Sequence, residues 1–205
     1  TNGTDTMYCL FIGKAIQTIN PPESSVDTAQ LADSAVETAK INDSAITTVK
    51  IADDAITKAK TSSLMYPAFQ AKLSADQTLT NQATTKVQFN TEVFDTDSTY
   101  DNSTNYRFTP AVAGKYYISA QADFEGSNIT ANWIYIYKNG AKLWGSHHDS
   151  SNHTYTTQCV STIVESNTTD YFEIFVYLDT TGTPKIKSDF GGVDVSFFCA
   201  YRIGD

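Results

Sequence analysis

The sequence has 205 residues, of which 40% are apolar and 12% aromatic, so it has enough apolar material for a folded core and lies outside the disordered class. Its 14 basic and 23 acidic residues give a net charge of -9 without any cluster of Lys or Arg, which argues against nucleic acid and anionic membranes as partners. No apolar run approaches the roughly 20 residues of a spanning helix, so membrane insertion is not expected.

The first segment, MYCLFIGKAIQTI at 7–19, is β-rich and has no partner strand of its own. The chain begins at Thr1 without Met or a signal peptide. We therefore interpret residues 1–22 as the end of a truncated β-rich region whose earlier portion is missing.

A ten-residue repeat occupies residues 23–63. Its recurring apolar positions are Val26, Val36, Ile46 and Ile56 at one site and Leu31, Ile41 and Ile51 at another. Ten residues at about 100° each leave successive units about 80° out of phase on a helix, and the mixture of even and odd positions excludes a plain strand. We predict one short helical turn per unit, with its first amides donating to Asp33, Asp43 and Asp53.

Each repeat has only about four apolar side chains, too few to offset its ordering entropy alone. The covering neighbours could be other repeats of the same chain or repeats of other chains, and a flexible linker is the remaining alternative. Because the copies are few and small, we favour a parallel, intertwined homo-oligomeric shaft. Its contact residues would be Val36, Ile41, Ile46, Ile51 and Ile56.

From residue 66 to residue 205 the pattern changes to short segments of alternating apolar and polar residues, such as KYYISAQADF, NWIYIYKNG, YFEIFVYLD and VDVSFFCAYRI. Many short strands without helical periodicity predict an all-β sandwich or barrel. Asn139-Gly140 is the strongest hairpin signal. Several strands are apolar on both faces, which favours a subunit interface on one of them.

Residues 68–204 resemble the complement 1q-type globular head, a jelly roll of the tumour necrosis factor superfamily. The most specific stretch is YRFTPAVAGKYYIS, in which the family spacing is kept by Phe108, Thr109, Pro110, Gly114, Tyr116 and Tyr117. The resemblance implies a ten-stranded, mainly β jelly-roll sandwich that forms a tight homotrimer. Thr169-Asp170 replaces the usual Gly-Asp before YFEIFVYL, so that loop differs. The calcium ions of some members cannot be assigned to residues here, so no cofactor is predicted.

The stretch FIGKAIQTINPPESSVDTAQLADSAVETAKI resembles the junction in phage tail and head fibres where a β-rich attachment region passes into decapeptide repeats. This resemblance implies a virion appendage, with residues 1–22 attached to other virion proteins, a shaft at 23–63 and a knob at 66–205.

Enzyme signatures, such as G-x-S-x-G, H-E-x-x-H or a phosphate-binding Gly-rich loop, do not occur, so catalysis is not expected. The segment WGSHHDSSNHTY contains all three histidines, His147, His148 and His153, beside Asp149. Imidazole and carboxylate groups suit a transition metal, and His147, His148 and Asp149 are weak metal candidates. The alternative is a polar surface loop, in which adjacent His147 and His148 point to opposite sides.

The family topology places Asn139-Gly140 at the base of the knob and the loops 125–130, 144–155 and 180–193 at its tip. We predict that these tip loops bind a glycan through Trp144, His147, His148, Asp149, His153, Tyr155, Lys185, Lys187 and Asp189. Trp133, Tyr135 and Tyr137 alternate within a strand and are interpreted as packing residues. The sequence allows a single disulfide between Cys159 and Cys199 but does not decide whether it forms.

These observations favour a phage fibre whose trimeric knob binds a host cell-surface polysaccharide or protein during adsorption. A capsid or collar decoration without a specific receptor is the alternative from a structural class. A secreted complement 1q-like binding protein is less consistent, because a collagen Gly-X-Y stalk does not occur. A depolymerase would need a carboxylate pair assembled by the fold.

Overall fold

The computed structural model describes residues 26, 29, 31–52, 55–56 and 67–204. The chain divides into two compact units, Thr1–Ala55 and Ile56–Asp205, and each is described by itself. The predicted attachment region, 1–22, lies outside the described residues, as do several positions of the predicted shaft.

Two successive repeats of the first unit have the same backbone conformation. Each contains a short 3-10 turn, at Thr38–Lys40 and Thr48–Lys50. Each 3-10 turn follows a β-turn, at 32–35 and 42–45, closed by an amide-to-carbonyl hydrogen bond of 3.0 Å. The prediction of one brief helical turn per unit is confirmed for these two repeats.

The predicted capping role of Asp33 and Asp43 is wrong. Both lie in the β-turns, and the residues that precede the 3-10 turns are Glu37 and Thr47, neither of which makes a side-chain capping bond. Asp is favoured in β-turns as well as at helix N-termini, so its recurrence did not distinguish between the two.

The repeats have no core of their own among the described residues. Between residues 31 and 52 every residue is exposed except Ala35 and Ala45, which are half-buried. The apolar side chains of Val36, Ile41 and Ile46 are all exposed. The apolar residues of these repeats are therefore uncovered within a single chain.

Residues 67–204 of the second unit form thirteen strands. They are β1 (Ala68–Lys72), β2 (Gln77–Thr78), β3 (Thr85–Lys86), β4 (Thr91–Asp95), β5 (Tyr100–Asp101), β6 (Arg107–Phe108), β7 (Gly114–Lys138), β8 (Ala141–Ser166), β9 (Phe172–Asp179), β10 (Lys185–Ile186), β11 (Asp189–Phe190), β12 (Val193–Asp194) and β13 (Phe197–Gly204).

The long strands β7 and β8 belong to both layers of a sandwich. The first half of β7, 115–121, pairs with β13, and its second half, 131–138, pairs with β9. The register between β7 and β8 shifts at 125–131, where both strands pass from one layer to the other. The first layer is thus β4, β1, β13, the first half of β7 and the second half of β8. The second layer contains the first half of β8, the second half of β7, β9, β6 and β3.

The core lies between these two layers. Alternating residues of each strand point inward, as in β13, where Phe198 and Ala200 are buried and their neighbours are not. The ring of Phe69 in the first layer stacks on Phe108 in the second, with centroids 4.8 Å apart, and meets Phe198 edge-on at 4.9 Å. The predicted mainly β jelly roll is confirmed.

The hairpin predicted at Asn139-Gly140 is also confirmed. These two residues connect β7 to β8, with Lys138 and Ala141 paired on either side. Their φ angles are 54° and 77°, the left-handed values that a two-residue type I′ turn requires.

The loops predicted at 125–130 and 144–155 are not formed, because these residues lie within β7 and β8. The prediction relied on Gly, Ser, His, Asp and Asn, which are frequent in loops. Pairing with the second half of β7 overrides that preference, since Trp144 lies opposite Ile136 and His147 opposite Trp133.

Cys159 and Cys199 are both free thiols, so the disulfide that the sequence left open is not formed. Cys159 lies on β8 opposite Gln121, and Cys199 lies on β13 opposite Ser119, so β7 runs between them. Two strand spacings are about 10 Å, which exceeds the reach of a disulfide. Burial raises the pKa of the Cys199 thiol.

Candidate functional site

Three of the nine predicted site residues lie next to Glu125, where β7 leaves the first layer, and a fourth is close to them in sequence. Tyr155 and Lys185 lie opposite Glu125 on the two neighbouring strands. The Nζ atom of Lys187 is 3.3 Å from the Glu125 carboxylate, and Asp189 follows two residues later. We call Tyr155, Lys185, Lys187 and Asp189 the tip group.

Lys187 connects three segments at this end of the sandwich. Its Nζ is 2.6 Å from Asp76 and 3.3 Å from Glu125, and the hydrogen bond to Asp76 raises the pKa of Lys187. Burial acts to raise the pKa of Asp76, but hydrogen bonds from Lys187 and Ser188 outweigh it and lower that pKa. Lys187 therefore holds the segment before β11 in place and is already engaged by two carboxylates.

Asp123 is a buried carboxylate that the sequence did not identify. It lies opposite Thr157, whose hydroxyl donates to its Oδ1 at 2.6 Å, and it is only 6% exposed. Burial raises the pKa of Asp123, against the opposing effects of the Thr157 hydrogen bond and the Lys187 charge. No sequence motif marks this position, because the hydrogen bond to the carboxylate comes from Thr157, which lies 34 residues away.

Exposed apolar side chains lie beside the tip group. Phe190 is 60% exposed, Val193 is 66% exposed and Tyr155 is 46% exposed, and the rings of Tyr155 and Phe190 meet edge-on at 5.6 Å. Phe190 and Val193 were missed by the sequence reasoning. The sequence signal that could have identified them is Gly191-Gly192, a pair typical of a tight hairpin turn. In the structure these glycines have φ angles of 65° and 84°, and the turn exposes Phe190 and Val193 on either side.

The other five predicted residues are spread along β8. Each faces a residue of β7: Trp144 faces Ile136, His147 faces Trp133, His148 faces Asn132, Asp149 faces Ala131 and His153 faces Ile129. Successive residues of a strand point to opposite faces, so adjacent His147 and His148 are separated and the five residues do not form one cluster.

The structure does not bring the metal candidates together. His147 stacks on Trp133 at 4.9 Å, whereas His148, the next residue of the strand, points to the opposite face. Within the described part of the chain no three His, Cys, Asp or Glu residues are arranged to hold a metal ion.

The outward surface of the second layer carries a group of aromatic rings. Trp133 stacks on Tyr177 at 4.1 Å, and Tyr137 packs on Phe175 at 4.2 Å. These pairs lie on adjacent strands, so the ring faces cover each other. The geometry agrees with the interpretation of Trp133 and Tyr137 as packing residues.

Tyr135, in the middle of this surface, lies over Gly145. A Cβ atom on Gly145 would be 2.5 Å from Cδ1 of Tyr135, so the ring occupies the space that a side chain would need. The Nζ atom of Lys142 is 4.1 Å from the centroid of the Tyr135 ring. Glycine at position 145 is therefore explained by the packing of the Tyr135 ring against β8, and not by a loop.

A comparison with protein-family models finds a match to the C1q domain over residues 68–197, which is more than half of the chain. The chain belongs to the C1q domain family. The match covers the jelly roll from β1 to the start of β13, so the tip group and the hairpin of β7 and β8 both lie within the C1q domain.

Several solved structures have a similar fold. The globular domain of zebrafish complement 1qA protein is 17% identical, with a TM-score of 0.45, and the match covers 66% of this chain and 93% of that one. Murine APRIL at pH 5.0 is 8% identical, with a TM-score of 0.51 and coverage of 66% and 98%. Eiger TNF from S. frugiperda is 10% identical, with a TM-score of 0.49 and coverage of 70% and 94%. At these identities the likeness concerns the fold.

No curated protein matches the sequence. Among the described residues, no helix has the length and apolar character needed to cross a membrane.

Proposed function

We propose that the protein is a virion fibre of a phage tail or head, in which a trimeric knob of C1q domains binds a host cell-surface polysaccharide during adsorption. Residues 1–22 would attach the fibre to other virion proteins, and the repeats would form an intertwined shaft. Binding alone is sufficient, because three knob sites per fibre multiply a weak affinity through effective concentration. No covalent step is needed, and no catalytic role is proposed.

The repeats support homo-oligomerisation. They keep one backbone conformation through two successive units, although Val36, Ile41 and Ile46 remain exposed. A partner that covers such positions every ten residues needs the same ten-residue period. Further copies of this chain meet that requirement.

The first layer of the C1q domain supports the same conclusion. Tyr117 lies between Ile163 of β8 and Tyr201 of β13, and its ring is 5.4 Å from that of Tyr201. Ile163 and Tyr201 point outward and are 63% and 42% exposed. Contiguous exposed apolar residues of this kind are typical of protein interfaces.

The adsorption hypothesis rests mainly on the exposed side chains of Tyr155, Phe190 and Val193, which lie next to the charged residues of the tip group. Tyr155 is eight residues from Ile163 along β8, about 26 Å at strand rise, so this surface is distinct from the row around Tyr117. Exposed rings with polar neighbours suit sugar rings, which offer both C–H faces and hydroxyl groups.

An adsorption assay with the purified chain tests this proposal. We expect the protein to bind host cells or arrayed host glycans, and Phe190→Ser to weaken binding by about tenfold or more, as for an interface aromatic. Phe190 is exposed, so the variant should fold. Val93→Ser, at an exposed apolar residue of β4, is the matched control, after each variant has been shown to keep the parent mass. Equal binding by both variants would remove the tip from the site, and a lack of binding by the unmodified chain would favour the decoration role.

A further inference from the structure

The rings on the outward surface of the second layer differ in what covers them. One face of Trp133 is covered by Tyr177 and the other contacts His147, and Tyr137 is covered by Phe175. Uncovering any of these would separate two packed rings. Such pairs stabilise the fold beyond the effect of their buried area.

Tyr135 is covered in another way. Its ring lies across Gly145, which has no side chain, and the group above the ring is the ammonium of Lys142, 4.1 Å from the ring centroid. Tyr135 as a whole is 5% exposed, with the rings of Trp133, Tyr137 and His147 around its edge and Lys142 over its face. Lys142 is an exposed residue with a flexible side chain, so it can leave the ring without any backbone movement. The contact is weak, because the ammonium of Lys142 is at an exposed site and its attraction to the ring is screened by water.

Lys142 also lacks an ion-pair partner among the residues that the structure describes. Two other lysines beside this surface are held by carboxylates, Lys86 by Glu173 at 2.5 Å and Lys138 by Asp170 at 2.9 Å. No carboxylate of the described residues lies within ion-pair distance of Lys142. A ligand that uncovers Tyr135 would therefore gain most if it brought a negative charge for the displaced ammonium.

We propose that Tyr135, Gly145 and Lys142 form a binding site for an acidic sugar, a pyranose that bears a carboxylate. The sugar ring stacks on the face of Tyr135 that Lys142 covers, while the other face lies against Gly145, and Lys142 moves from the ring to the carboxylate. His147, whose ring lies edge-on to Tyr135 at 5.2 Å, borders the site. This site rests on the proposed function in naming a sugar class that the knob recognises, and it adds a second binding surface, on the side of the C1q domain, to the one at its tip.

Binding of an oligogalacturonate to the full chain tests the site, with the methyl ester of the same oligosaccharide as a probe that lacks the charge. Isothermal titration at low ionic strength should show the acid binding at least about tenfold more tightly than the ester, the range expected for a contact between charged groups. Lys142→Gln should lower the affinity for the acid by about tenfold and leave that for the ester unchanged, whereas Lys142→Arg should keep most of it. Lys115→Gln, on the first layer, removes the same charge elsewhere and should have no effect.

Equal affinity for acid and ester, no binding of either, or unchanged binding by Lys142→Gln would each overturn the site. The adsorption assay separates this inference from the proposed function. If Lys142→Gln adsorbs normally while Phe190→Ser does not, the fibre function stands and the Tyr135 site is wrong. If both adsorb normally and the oligogalacturonate still binds at Lys142, the site stands and the tip is not the receptor surface.

Discussion

The two outward surfaces of the sandwich differ in how far their large side chains are covered within a single chain. On the second layer, rings cover one another, with Trp133 on Tyr177 at 4.1 Å and Tyr137 on Phe175 at 4.2 Å. On the first layer, Ile163 remains 63% exposed in a region of apolar neighbours. A surface that covers its own rings needs no partner, whereas the first layer leaves apolar area uncovered in a single chain. The difference indicates which surface another chain would cover.

Breaking the first-layer surface should have the largest effect. Ile163→Asp would place three carboxylates in the proposed interface, where burying an unpaired charge costs several kcal/mol. We expect this variant to sediment as a monomer, or to form trimers only at much higher concentration, while its far-UV circular dichroism stays that of a β-sandwich.

The control for that variant is Thr154→Asp, which adds the same charge at an exposed position of β8 away from the Tyr117 row. It should leave the sedimenting mass unchanged. An unchanged mass for Ile163→Asp would mean that this surface is not an interface.

Disturbing the second-layer surface should have a smaller effect, on the stability of each chain. Gly145→Ala would place a Cβ atom 2.5 Å from Tyr135 Cδ1, and such overpacking costs about 1–3 kcal/mol. We expect a lower free energy of unfolding in denaturant at fixed chain concentration, with the parent mass retained. Combining the change with Tyr135→Leu should recover part of the loss, and a wild-type midpoint for Gly145→Ala would contradict the packing described.

The smallest expected effect concerns Asp123, a carboxylate buried near the first-layer surface. Because burial raises its pKa above 3.8, the folded state holds the proton more tightly than the unfolded state does. The free energy of unfolding therefore falls as the pH rises from about 4 through the raised pKa. Asp123→Asn should remove this loss. The difference in free energy of unfolding between the variant and wild type should therefore shift in favour of the variant as the pH rises, and become constant above the raised pKa.

Asp76→Asn provides the opposite case for the same pH titration. The lowered pKa of Asp76 means that its contribution is present above the unfolded pKa and is lost as the pH falls through the folded pKa. This variant should be less stable than wild type at pH 7, and the gap should close in acid. Parallel pH profiles for the two variants would contradict the assigned environments.

Much of the fold could be predicted from local patterns. The alternation in β13 and the turn at Asn139-Gly140 depend on neighbouring residues, and both are confirmed. The strand through 144–155 could not be predicted in this way, because its residues favour loops and only pairing with β7, such as His147 with Trp133, makes it a strand. Local preference was overridden by a contact across the hairpin.

The candidate site was less predictable than the fold. The sequence placed Tyr155 and Lys187 in two separate tip loops, and in the structure both lie next to Glu125. The ion pairs of Lys187 with Asp76 and Glu125 could not be predicted, because these residues are distant in sequence. The exposure of Phe190 likewise depends on how the Gly191-Gly192 turn projects from the sandwich. Residue type alone does not distinguish an exposed phenylalanine from a buried one.

The mass of the chain in solution tests the central claim most directly. Light scattering at micromolar concentration should give about three times 22.5 kDa, the mass of the proposed homotrimer in which other copies cover the repeats and the first layer. A mass of about 22.5 kDa at that concentration would show that these apolar surfaces remain uncovered and would contradict the trimeric fibre.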